Sequence, residues 1–94
     1  MENIGTYKVE GDHLPLESGI FYKYDSPEYS HPTPDNVRQL LKQAGITGSK
    51  AASIVGVHGR TIRKWTAEEG SPNHRTIPYA AWRLLLIEAG LDKN

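Results

Sequence analysis

The stretch Gly45–Trp65, GITGSKAASIVGVHGRTIRKW, constrains the fold more than any other part of the chain. Gly45 and Gly56 read as helix stops, because glycine enters the left-handed conformation that closes a helix without a Cβ penalty. Between them Thr47 or Ser49 can cap a short helix from about Gly48 to Val55, with Ala51, Ile54 and Val55 on its inward face. Ala51 and Ala52 have small side chains, which suits two helices that cross closely. Val57 fills the turn. In the second helix Ile62 and Trp65 are three residues apart, so they share one face, and that face should pack inward. At about 100° per residue, Arg60 falls nearly opposite that face, with Arg63 and Lys64 flanking it. All the charge of the stretch (Lys50, Arg60, Arg63, Lys64) is positive.

Gly59 opens the second helix, where a missing side chain allows close approach to another surface. His58 stands at the capping position, usually held by Ser, Thr, Asp or Asn, and reads as a weak cap and a solvated loop histidine. Free amides at the start of the first helix, beside the Thr47 and Ser49 hydroxyls, form a seat suited to phosphate. A basic segment with this helix, turn and helix punctuation points to DNA.

The run Gly45-Ile46-Thr47, Ala51-Ala52, Gly56-Val57 and Thr61-Ile62-Arg63-Lys64-Trp65 resembles the Xre/Cro-type helix-turn-helix of phage and bacterial regulators. The likeness extends from Thr33 to Leu91. A narrower similarity is to the small regulators beside phage anti-CRISPR genes, which share the short length and Pro-rich lead-in. The resemblance implies that the second helix lies in the major groove. It matches Gly59, Arg60 and Lys64 to base-contacting positions, with Arg63 bordering them, and Thr47, Gly48 and Ser49 to phosphate contacts. Lys50 and Thr61 join the phosphate group, Lys50 chiefly by long-range attraction. Family members usually carry Gln and acidic residues where this chain has Gly48, Ser49 and Lys50, and Ser where it has His58.

Charge supports the same division. Residues 1–32 hold six acids against two lysines, a balance of −4, whereas residues 33–94 hold nine basic residues against five acids, +4. The formal net charge of zero hides this segregation. Ninety-four residues suffice for one domain. Without cysteine there is neither a disulfide framework nor a thiolate metal site, which fits a reducing cytoplasm. No apolar run approaches the roughly 18 residues of a membrane span, and no signal-peptide pattern opens the chain.

Residues 1–32 read as an acidic, aromatic, Pro/Gly-containing arm ahead of a helix-turn-helix domain at 33–94. Ile20–Tyr24 is its strand-like patch, expected to pack on the helices or to pair with Tyr7–Val9. Its aromatics either fill the core or form a docking surface for a second copy or a protein partner. Thr33-Pro34-Asp35 is a strong helix start, followed by Val37, Leu40, Leu41 and Ala44 at helical spacing. Arg38 and Lys42 lie on that helix's outward face, within potential reach of a phosphate. Thr66–Thr76 reads as a polar surface loop that Glu68 and Glu69 turn away from DNA, although Asn73, His74 and Arg75 could swing back. Ile77-Pro78 opens a last helix, Tyr79–Ala89, ended by Gly90. Its apolar run of Trp82 and Leu84–Ile87 is wide enough to close the core on one side and to face a second copy on the other.

The four histidines (13, 31, 58 and 74) lack metal-ligand spacing, and no phosphate-cradling glycine loop appears. Asp12-His13 is the most enzyme-like pair, in the arm. The sequence therefore predicts a mainly α chain, a four- to five-helix bundle with a central helix-turn-helix after an irregular arm that could carry one short strand. Its expected role is a sequence-specific regulator of double-stranded DNA, of the phage or mobile-element repressor kind, cytoplasmic and homodimeric. No catalysis, metal, cofactor or membrane partner is expected. The competing reading is a protein-interaction module, antitoxin-like or adaptor, working through the arm.

Overall fold

A computed structural model describes residues Gly19–Leu91. The Tyr7–Val9 pairing and Asp12-His13 lie outside these residues. A short 3-10 helix, Gly19–Phe21, precedes four α-helices: α1 Pro34–Ala44, α2 Gly48–Val55, α3 Gly59–Thr66 and α4 Tyr79–Ala89. The chain is mainly helical, with no strand among the described residues.

Local chemistry fixes the helix ends. Thr33 and Asn36 form a reciprocal capping box: the Thr33 hydroxyl accepts from the Asn36 amide, and the Asn36 carboxamide accepts from the Thr33 amide. Pro34 occupies the first turn of α1, where its missing N–H costs nothing. Gly45, Gly56 and Gly90 close α1, α2 and α4 in the left-handed conformation. The sequence left Thr47 or Ser49 as the cap of α2. Thr47 is the cap, its hydroxyl accepting from the Lys50 amide at 3.0 Å.

The helices enclose one core. α4 packs across both α1 and α2, and α3 packs against α1 and α2. Val37 and Leu40 from α1, Ala51 and Ala52 from α2, Ile62 and Trp65 from α3, and Trp82, Leu85 and Leu86 from α4 are all buried. Ile46 and Val57 pack against this cluster from the two short connections flanking α2.

Ile20–Tyr24 is a correction to the sequence reading: it forms the 3-10 turn and a following bend, not a strand. Ile20 and Phe21 are both fully buried, although adjacent. A strand would send two successive side chains to opposite faces, whereas the tight turn sinks both into one core. The Gly19 carbonyl accepts from Tyr22 and Ser30, each at 3.2 Å. A Cβ at Gly19 would lie 2.1 Å from the Glu28 carbonyl oxygen, so this doubling back of the backbone requires glycine. The indole N–H of buried Trp82 donates to the Ile20 carbonyl at 2.7 Å, and Arg83 donates to that of Phe21 at 3.4 Å. Phe21 is thus core filler. The tyrosines that follow it are not: Tyr24, Tyr29 and Tyr79 form a surface cluster with ring centroids 5.3–5.5 Å apart. Burial, with Tyr24 and Tyr79 beside it, raises the Tyr29 phenol above its ordinary pKa.

The Trp82–Ile20 bond gives a direct test of how firmly this turn belongs to the domain. Trp82→Phe keeps a ring but removes the indole N–H that donates to the buried Ile20 carbonyl, which should cost about 1–3 kcal/mol in urea unfolding. An unchanged midpoint would mean that the turn is not held through this bond.

Candidate nucleic-acid interface

Helix α3 has only eight residues, too few to be stable alone, so its orientation comes from what it buries. Ile62 and Trp65 are 4% and 6% exposed and anchor it against α1 and α2. Burial of two such side chains contributes about 1.5–3 kcal/mol each. Arg60, Arg63 and Lys64 are consequently exposed, together with Gly59. Thr61 lies at the edge of the buried face and is half-buried. His58 is the exposed N-cap and makes no side-chain capping bond.

The side chains of Lys50, Arg60, Arg63 and Lys64 form no hydrogen bond or ion pair among the described residues. Arg38 is different. Its guanidinium pairs with Asp35 and donates to the Thr66 carbonyl, the last of α3. The sequence offered Arg38 as a cation within reach of phosphate; its observed role is to tie the C-terminal end of α3 to the first turn of α1. Neither partner was visible as such, since Thr66 is remote in sequence and Asp35 served as a helix-start signal. Thr66 adds a back-bond from its hydroxyl to the Ile62 carbonyl at 3.1 Å. The Arg75 amide caps the Lys64 carbonyl at 3.0 Å.

At the start of α2 Thr47, Gly48, Ser49 and Lys50 are all exposed. The Thr47 hydroxyl takes the Lys50 amide, while the Gly48 and Ser49 amides have no partner among the described residues. A cleft of about 560 Å³ runs between these amides and α3, bordered by Gly48, Ser49, Gly59 and Arg63 and floored by Leu41 and Ile62. Of the residues named from sequence, this cleft brings together Gly48, Ser49, Gly59 and Arg63, whereas Arg60 and Lys64 line a different cleft and Thr47, Lys50 and Thr61 line neither. A Cβ at Gly59 would meet only the Arg63 guanidinium, at 4.0 Å.

A compact helical domain that presents one helix of unpaired cations beside a pair of free amides is of the class that includes DNA-binding regulators. The chain belongs to the KorC family of transcriptional repressors. It is 44% identical over 66 residues to transcriptional repressor protein KorC of Escherichia coli, covering 67% of this chain and 72% of that protein. A second KorC from Escherichia coli is 44% identical over 63 residues, 64% of this chain and 68% of its own length. No family model matches the chain.

The open surroundings of Gly59 separate folding from function. Because the added methyl has room and alanine is the better helix former, Gly59→Ala should leave stability unchanged or raise it by up to about 1 kcal/mol. A lower thermal midpoint would show that the fold itself requires glycine there.

Proposed function

We propose that this chain represses transcription by binding double-stranded DNA, with α2 and α3 acting as an Xre/Cro-like helix-turn-helix. The observation that carries the reading is the set of three cationic side chains, Arg60, Arg63 and Lys64, held outward without protein partners by the buried Ile62 and Trp65, with exposed Lys50 on α2. Cations without protein partners are free to replace the counterions of a phosphate backbone. In this reading α3 enters the major groove, and Arg60 contacts guanine through its guanidinium fork. Arg63 and Lys64 add base or phosphate contacts, Gly59 lets a nucleotide approach the helix start, and Thr61 sits at the groove wall. The free amides of Gly48 and Ser49, with Thr47 and Lys50, hold a phosphate. The protein acts on DNA in the cytoplasm and performs no catalysis. The phage or mobile-element setting expected from the sequence is kept as part of this reading.

Binding to a random-sequence duplex, followed by anisotropy at about 50 and 200 mM salt, should weaken at least tenfold over that range. Absence of binding at the lower salt would defeat the proposal. In a binding-site selection Arg60→Ala should lose about 1–3 kcal/mol of discrimination at one base per half-site. Retained discrimination would remove Arg60 from that role.

The protein works as a homodimer in this reading, since two-fold operators call for paired reading helices about one DNA turn apart. Helix α4 offers the seam. Leu84 and Ile87 are 45% and 52% exposed, and exposed Ala80 lies one turn before Leu84 on the same stripe. Leu91 follows the left-handed Gly90 cap and packs on the core instead. Two copies packed antiparallel about an axis between Leu84 and Ile87 would bring Leu84 opposite Ile87. Leu84→Glu should convert the dimer to monomer in sedimentation without loss of helix signal, and should weaken operator binding. A wild-type chain that sediments as a monomer at tens of micromolar would rule out this seam.

A further inference from the structure

The loop between α3 and α4 sends its acids and its amides to different places. Glu68 and Glu69 line a cleft of about 400 Å³ with Thr33, Asp35 and Arg38, beside the start of α1. Ser71 and Asn73 instead line a second cleft of about 320 Å³, whose other walls are Arg60, Arg63, Lys64 and Ala67. The sequence reading turned Glu68 and Glu69 away from DNA and let Asn73, His74 and Arg75 swing back; of these three, Asn73 lines the cleft that holds Arg60, Arg63 and Lys64.

Backbone bonds hold the polar half in place. The Arg75 amide donates to the Lys64 carbonyl at 3.0 Å, the Ser71 amide to the Glu68 carbonyl at 3.0 Å, and the His74 amide to the Ser71 carbonyl at 3.2 Å. The Ser71 hydroxyl accepts from the Asn73 amide at 3.2 Å. None of these uses the Asn73 carboxamide, which is exposed and has no partner among the described residues.

We infer that Asn73 is a further DNA-contacting residue, donating from its carboxamide to a phosphate oxygen beside the C-terminal end of α3. The inference rests on α3 being the reading helix. When the N-terminal part of such a helix meets base edges, its C-terminal end and the loop behind it come against the wall of the groove, which is phosphate. Asparagine is an ordinary phosphate donor, and the three surrounding cations draw an anion into the same cleft. An uncharged amide releases no counterion, so Asn73 fixes register without steepening the salt dependence. It is thereby distinguishable from Lys64.

The experiment compares the full chain with Asn73→Ala, Asn73→Lys and Glu69→Gln on one random-sequence duplex across salt, with circular dichroism as a control for folding. Asn73→Ala should bind about 2- to 10-fold more weakly with an unchanged salt slope. Asn73→Lys should steepen the slope by about one unit, while Glu69→Gln, the same change in net charge on the other side of the loop, should stay near wild type. Wild-type affinity in a folded Asn73→Ala would overturn the assignment. So would equal slopes for the Lys and Gln variants, which would show a general charge effect. If the wild-type chain does not bind at low salt, the reading of α3 fails and takes this inference with it.

Discussion

The direction in which α3 presents its cations depends on the burial of Ile62 and Trp65. An eight-residue helix gains little from its own backbone, so these two side chains decide which way α3 is rotated. With Ile62 and Trp65 inside, a 3.6-residue period leaves Arg60, Arg63 and Lys64 no inward option. Burying an unpaired guanidinium would cost far more than the anchors contribute. The apolar requirement of the core thus specifies the position of the charge.

The ends of α3 need separate support. Its start has no side-chain cap, because His58 makes none. Its C-terminal carbonyls are served from elsewhere: Arg38 reaches Thr66 from α1, and the Arg75 amide reaches Lys64 from the loop. Both bonds satisfy acceptors that a helix end leaves open, and both tie another element to the C-terminal end of α3. Arg38 is therefore a cation used to position other cations. Its pairing with Asp35 makes this compatible with a helix start, where a carboxylate is favoured by the dipole.

Much of this was legible in the sequence because the responsible interactions are local. Thr33-Pro34-Asp35, Thr47 and the glycines at 45, 56 and 90 act within a turn or two of themselves, and the helix bounds follow from them. The outward face of α3 was legible for the same reason, through the spacing of Ile62 and Trp65. The misreadings all involve distant partners. Ile20–Tyr24 looks like a strand until Trp82, in α4, supplies a donor to Ile20 and Gly19 allows Glu28 to close on it. Arg38 looks like a solvated cation until Thr66 is brought beside it. Asn73 was legible only as one of three residues, with His74 and Arg75, that could swing back toward phosphate; the cleft it shares with α3 depends on how the loop folds.

The same contrast explains how a chain of zero net charge can carry a surface suited to polyanions. What matters to a phosphate within a Debye length of about 10 Å is the local field, not the total. Three of the acids in residues 33–94 lie away from the cations of α3: Asp35 is paired with Arg38, and Glu68 and Glu69 lie on the α1 side of their loop. The cations of α3 have no such partners. The sequence thus separates the charge between its two segments, and the packing that buries Ile62 and Trp65 sets the cations of α3 on one exposed face.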